Sequence, residues 1–130
     1  MLLARSALLV LAVTLLAACS TLEDARTAQG TGPTRTYETD SDRVWQVMPD
    51  VVRGLSLTYA GDNRQEGYVL AQHGVSMFSY GEEVAIFIAP VPGPPPRTRV
   101  EVVTKRRMST NVFAPDWGGR ILDRLSERLR

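Results

Sequence analysis

Two stretches of alternating side chains, parted by a proline-rich break, constrain this chain more than any other feature. From Glu83 to Ala89, Val84, Ile86 and Ile88 share one side and Phe87 takes the other. From Thr98 to Thr104, Val100 and Val102 alternate with Arg99 and Glu101. A period of two is that of a strand, so the valines point inward and the charged pair outward. The break from Pro90 to Pro96 cannot continue a central strand, and residues 84–105 therefore predict a hairpin around a stiff loop. A second hairpin is expected over residues 55–73. Its strands are Leu55 to Tyr59 and Tyr68 to Gln72, and Gly61 to Gly67 is a turn cluster. Arg35 to Thr39 reads as a first strand with Tyr37 facing the core. Val75 to Tyr80 fits either an extended edge or a loop, and Lys105 to Ala114 a connection.

Two stretches have the helical period instead. Asp40 or Ser41 can cap a helix in which Val44, Val47 or Met48, Val51, Val52 and Leu55 share a face, with Gly54 as the terminator. Asp42 favours the positive end of its dipole. Pro49 removes one bond inside it; either the helix bends there or a second helix begins, and the bend is the favoured reading. Asp116 can cap a closing helix with Trp117, Ile121, Leu122, Leu125 and Leu129 on one face and Arg120, Asp123, Glu127 and Arg128 in water. The fold class expected is α+β: two layers, an antiparallel sheet of four to five strands, two helices on one face, order β-α-β-β-β-β-α. Trp45 and Trp117 are expected between the layers.

Residues 1–18 have the parts of a secretory signal: Arg5, an apolar run from Ser6 to Leu16, and the small pair Ala17 and Ala18. Counted through Cys19 the run is 14 residues, against the ~20 of a spanning helix. An ordinary cleaved signal and a retained anchor are the competing readings. Leu16-Ala17-Ala18-Cys19 resembles the lipobox of bacterial lipoprotein precursors. That resemblance implies diacylglycerol on the Cys19 sulfur, cleavage between Ala18 and Cys19, and acylation of the freed amine. Ser20, rather than Asp, implies by the same analogy the outer membrane, facing the periplasm, with inner-membrane retention the alternative.

Cleavage would leave residues 19–130, enough for one small domain. Residues 19–34 read as a flexible tether, since Gln29-Gly-Thr-Gly-Pro33 has no apolar period; Leu22 to Ala28 could form a transient helical turn. As coil the tether would reach ~20 Å. Residues 35–130 form the domain. Cys19 is the one cysteine, so no disulfide is expected. Removing Arg5 from the 15 basic residues balances the 14 acidic ones, which disfavours nucleic acid as a partner.

The element order, with Asp42, Trp45, Gly54 and Gly67, is similar to the small envelope-lipoprotein domains of the BamC type. The resemblance covers residues 35 to 129. It implies a non-catalytic accessory in outer-membrane protein assembly, with an envelope protein as partner and no catalytic residues to carry over.

Enzymatic chemistry finds little footing. His73 is the one histidine, and a turn position explains it. Glu82 and Glu83, as strand neighbours, point to opposite faces. No residues have zinc-ligand spacing, and Gly118-Gly119 lacks a phosphate-loop fingerprint. No enzyme, metal or cofactor is expected. Three features could serve binding. The proline loop could be a polyproline ligand or a stiff connection. Lys105-Arg106-Arg107 could meet anionic headgroups or an acidic partner, or be a solvated strand end. Met77, Phe78 and Tyr80 could form a contact patch or pack beneath the sheet edge. The expected role is a lipid-anchored periplasmic binding or scaffolding domain; the alternative is a module taking a small ligand or peptide in the helix-sheet groove.

Overall fold

The computed structural model describes residues 20–74, 81–106 and 115–130. Its elements are α1 (Ser20–Thr27), β1 (Thr34–Tyr37), α2 (Ser41–Gly54), β2 (Thr58–Asn63), β3 (Tyr68–His73), β4 (Glu82–Val91), β5 (Arg97–Arg106) and α3 (Trp117–Arg128). The α+β class holds, with one antiparallel sheet of five strands in the order β1-β5-β4-β3-β2. The proline break is shorter than expected. Pro90 and Val91 stay in β4, paired with Thr98 and Arg97, so the connection is Pro92 to Pro96.

One face of the sheet carries Val69, Ala71, Val84, Ile86, Ile88, Val100 and Val102. Against it pack Val44, Val47, Met48, Val51 and Val52 of α2 and Trp117, Ile121, Leu122 and Leu125 of α3. Tyr37 is buried in the same core and its hydroxyl donates to the Leu122 carbonyl at 2.6 Å. Burial pushes the Tyr37 phenol above its ordinary value, against the lowering effect of Ser126. Trp117 lies between the layers as expected, whereas Trp45 is half-buried at the rim beneath the Arg64 guanidinium, 5.6 Å from its ring.

Of the two candidates for the first cap, Asp40 and Ser41, Asp40 takes the role, and Asp116 caps the closing helix as expected. Asp40 accepts from Arg43 N at 2.8 Å, and Asp116 from Gly119 N at 3.1 Å. α2 runs through Pro49 as one helix. It does not stop at Gly54 in the way expected. Ser56 N bonds Arg53 O at 3.0 Å and Leu57 N bonds Val52 O at 3.2 Å, with Ser56 at φ 63°. This is a Schellman ending whose left-handed position is a serine. The apolar contact explains the choice. Ending here sets buried Leu57 against buried Val52; ending at Gly54 would set Leu55 against exposed Asp50. Leu55 to Leu57 are thereby taken from the strand, and β2 instead extends to Asn63 with a bulge between Tyr59 and Gly61. Ser56→Gly relieves the Cβ strain of the left-handed region, so it should stabilise the fold by about 1 kcal/mol. The check is a higher urea midpoint at unchanged slope; a lower midpoint would refute the cap assignment.

The main departure is on the other face of the sheet. Two helices on one face were expected, with residues 19–34 as a coil. Instead α1 packs on the second face, making a third layer, through a small cluster of Ala25, Ala85, Phe87 and Val103 flanked by Ala28, Tyr68 and Leu70. An isolated helix of eight residues is not stable in water, so this contact is what keeps α1 helical.

Candidate functional site

Of the residues singled out from the sequence, Ala18, Cys19, Met77, Phe78, Tyr80 and Arg107 lie outside the described residues. Arg106 is described: it is exposed, ends β5 and stands opposite Glu82 in the register. Two polar arrangements stand out in the fold, one along the chain between α1 and β1 and one at the end of the sheet that carries Arg106.

The segment after α1 is a strap laid along β5. Glu101 alternates outward from the main core as expected, yet it is buried, because the strap covers it. Its Oε1 accepts from Gly30 N at 2.6 Å and from Gly32 N at 3.2 Å, while Val102 N donates to Pro33 O at 3.0 Å. Backbone amides facing a carboxylate make charge-assisted bonds, roughly twice as strong as neutral ones. The approach is so close that a Cβ on Gly32 would stand 2.0 Å from the Val102 carbonyl oxygen. A stretch that resembles a flexible linker in composition is thus held by a tight backbone crossing that only glycine permits at position 32. The sequence signal for this was the lone acidic residue, Glu101, on a strand with four basic ones.

At the Arg106 end of the sheet a second polar group gathers. His73 Nδ1 lies 2.7 Å from Glu82 Oε2, and Glu82 is fully buried. The His73 ring sits 4.9 Å from the Trp117 ring at 53°, and the Arg120 guanidinium lies 5.4 Å from that same Trp117 ring. Hairpin register explains the pairing: His73 ends β3 and Glu82 opens β4, so they face each other. Glu83 takes the other face, in agreement with strand alternation. The histidine therefore meets Glu82 and not Glu83.

Among the described residues, no group of three or more His, Cys, Asp or Glu could hold a metal ion. No helix among them is long and apolar enough to cross a membrane. A cavity of about 370 Å³ opens beside the strap, lined by Gln29, Gly30, Phe87, Ala89, Arg99 and Glu101. Between the sheet and helices α2 and α3 lies the main core, and a cavity of about 390 Å³ at its edge is lined by Arg35 to Thr39 of the β1 segment and by Ser126 and Leu129 at the end of α3. No protein-family model matches this chain, and no curated protein is significantly similar to it.

Proposed function

We propose that this chain is a lipid-anchored lipoprotein of the bacterial cell envelope, held by acylated Cys19 at the outer membrane and facing the periplasm. Its domain serves as a non-catalytic binding or scaffolding unit, an accessory to outer-membrane assembly or maintenance with an envelope protein as partner. The observation that carries this reading is the sequence Leu16-Ala17-Ala18-Cys19 closing an apolar run of sub-membrane length. A second reading, capture of a small ligand or peptide, draws on the cavity beside the strap, where Arg99 offers a cation over the apolar floor of Phe87 and Ala89.

Mass spectrometry of the protein purified from its own membranes tests the first reading. The expected mass is that of residues 19–130 plus a diacylglyceryl group and a third acyl chain or none. A bare thiol at position 19, or a chain that still carries residues 1–18, would overturn it. In-cell crosslinking then separates scaffold from ligand-binding module: a stoichiometric protein partner is expected.

A further inference from the structure

We infer that the end of the sheet carrying Lys105 and Arg106 is held flat against the bilayer, with anionic lipid headgroups as the partner of those two side chains. This rests on lipid at Cys19 and goes beyond it, because an anchor alone leaves orientation open.

The argument begins with slack. A coil over residues 19–34 would let the domain tumble at ~20 Å from the membrane. In the structure that length is consumed: the described residues are helical from Ser20, and the strap is bonded down through Gly30, Gly32 and Pro33. Consecutive Cα atoms are about 3.8 Å apart, so acyl chains on Cys19 are attached one residue from Ser20.

The contacts of α1 give its direction. Gln29 and Gly30 lie with Phe87, Ala89, Arg99 and Glu101, whereas Ala25 clusters with Ala85, Phe87 and Val103, and the Arg26 side chain reaches across β3 to Tyr68 and Glu66. Moving toward the start of α1 thus moves along β4 toward Glu83 and along β5 toward Lys105. Five further helical residues at about 1.5 Å each cover about two strand residues. They bring Ser20 to the level of the Glu83–Lys105 pair, the end where β3 stops, β4 begins and β5 ends. The proline loop and the Arg64–Gly67 turn are at the far end.

Charge at the near end suits an anionic surface. Lys105 and Arg106 are exposed at the end of β5, while Glu82 and Glu83 at the start of β4 are buried. From α3, Arg120 adds an exposed cation and Asp116 an exposed anion already engaged in capping. From β3 the group facing them is His73, bonded to Glu82, and from α1 Glu23 is ion-paired to Arg26.

The test uses the full, acylated protein in vesicles containing phosphatidylglycerol and a headgroup nitroxide lipid. With the Cys19 sulfur in a thioether, a new cysteine is the sole thiol. Gly74→Cys marks the near end, where a Cβ meets nothing within 4 Å, and Pro92→Cys marks the exposed far end, about 30 Å away. A fluorophore at position 74 is expected to lose most of its emission, and one at position 92 to keep it. Neutralising Lys105 and Arg106 together (Lys105→Gln, Arg106→Gln) is expected to lower the ratio of apposed to free label about tenfold, less so in high salt. Equal quenching at the two positions, on protein whose mass includes the acyl chains, overturns the orientation and leaves the lipoprotein reading standing. Quenching at position 74 that ignores the double neutralisation overturns the headgroup contact. Protein without acyl mass that fails to float with vesicles overturns both.

Discussion

Cys19→Ser, expressed behind an ordinary cleavable secretory leader, is expected to move from the membrane pellet to the soluble fraction. The change is one atom, and the effect is the largest foreseen for this chain. A buried acyl chain contributes about 0.8 kcal/mol per methylene, and two or more chains make anchoring stable. Serine at this position offers no thioether, so all of that free energy goes. The residual attraction is weak. Two basic side chains at a charged membrane surface contribute about 1 kcal/mol each, which leaves a protein of this size mostly free. The substituted leader matters, since an uncleaved apolar run could itself hold the variant in place. Fractionation and flotation, wild type beside variant, give the answer. Pelleting of the variant at the wild-type level would mean that the anchor lies elsewhere in the chain.

Gly32→Ala should cost about 2–4 kcal/mol of folding stability. The added Cβ would stand 2.0 Å from the Val102 carbonyl oxygen and 2.7 Å from its carbon. Both are backbone atoms of a strand paired on either side, so neither can rotate away. The strap must lift instead. Lifting it breaks the bond from Gly32 N to Glu101 and that from Val102 N to Pro33 O, and it weakens the one from Gly30 N. Each neutral bond is worth about 1 kcal/mol and a charge-assisted one up to about 3. The buried carboxylate of Glu101 is also left to find water. Glu101→Gln keeps an acceptor of the same shape and loses only the charge, so a smaller cost is expected. Urea unfolding of the two variants and their double mutant checks the order. Because both act on one contact, the double mutant should fall short of the sum. A Gly32→Ala variant within about 0.5 kcal/mol of wild type, the range of an ordinary surface substitution, would show that the strap does not stabilise the fold.

Most of the sheet was legible because β4 and β5 repeat every second residue without interruption. The division of Val84, Ile86 and Ile88 from Phe87 is the one seen. The aspartate caps were legible for a similar reason: a short acceptor before an apolar period has few other uses. The layer on the second face was not. Leu22, Ala25 and Ala28 stand three apart, but alanine contributes too little apolar surface to mark a buried face, and eight residues give barely two turns. Gln29 to Pro33 failed differently. Glycine serves free coil and close contact equally well, and only the partner strand, some 70 residues later, tells them apart. Ser56 was hidden because the end of α2 was set by Leu57 on Val52 rather than by the nearest glycine. At the candidate site, Glu101 could be placed on its face but not beneath the strap. The His73–Glu82 pair could have been read from hairpin register, which aligns the end of one strand with the start of the next.

The first strand of this sheet pairs with the last. Residues 20 to 37 lean on β4 and β5 through α1, the strap and β1. A chain that emerges amino end first can assemble α2, β2 and β3 early, but its leading portion cannot settle fully until β5 has emerged. Closing so long a loop is slow. Throughout that interval the stretch from Ser20 to Tyr37 is without its partner strands. On the proposed reading, trimming and acylation beside it would fall in that interval, before completion of the fold draws the stretch in.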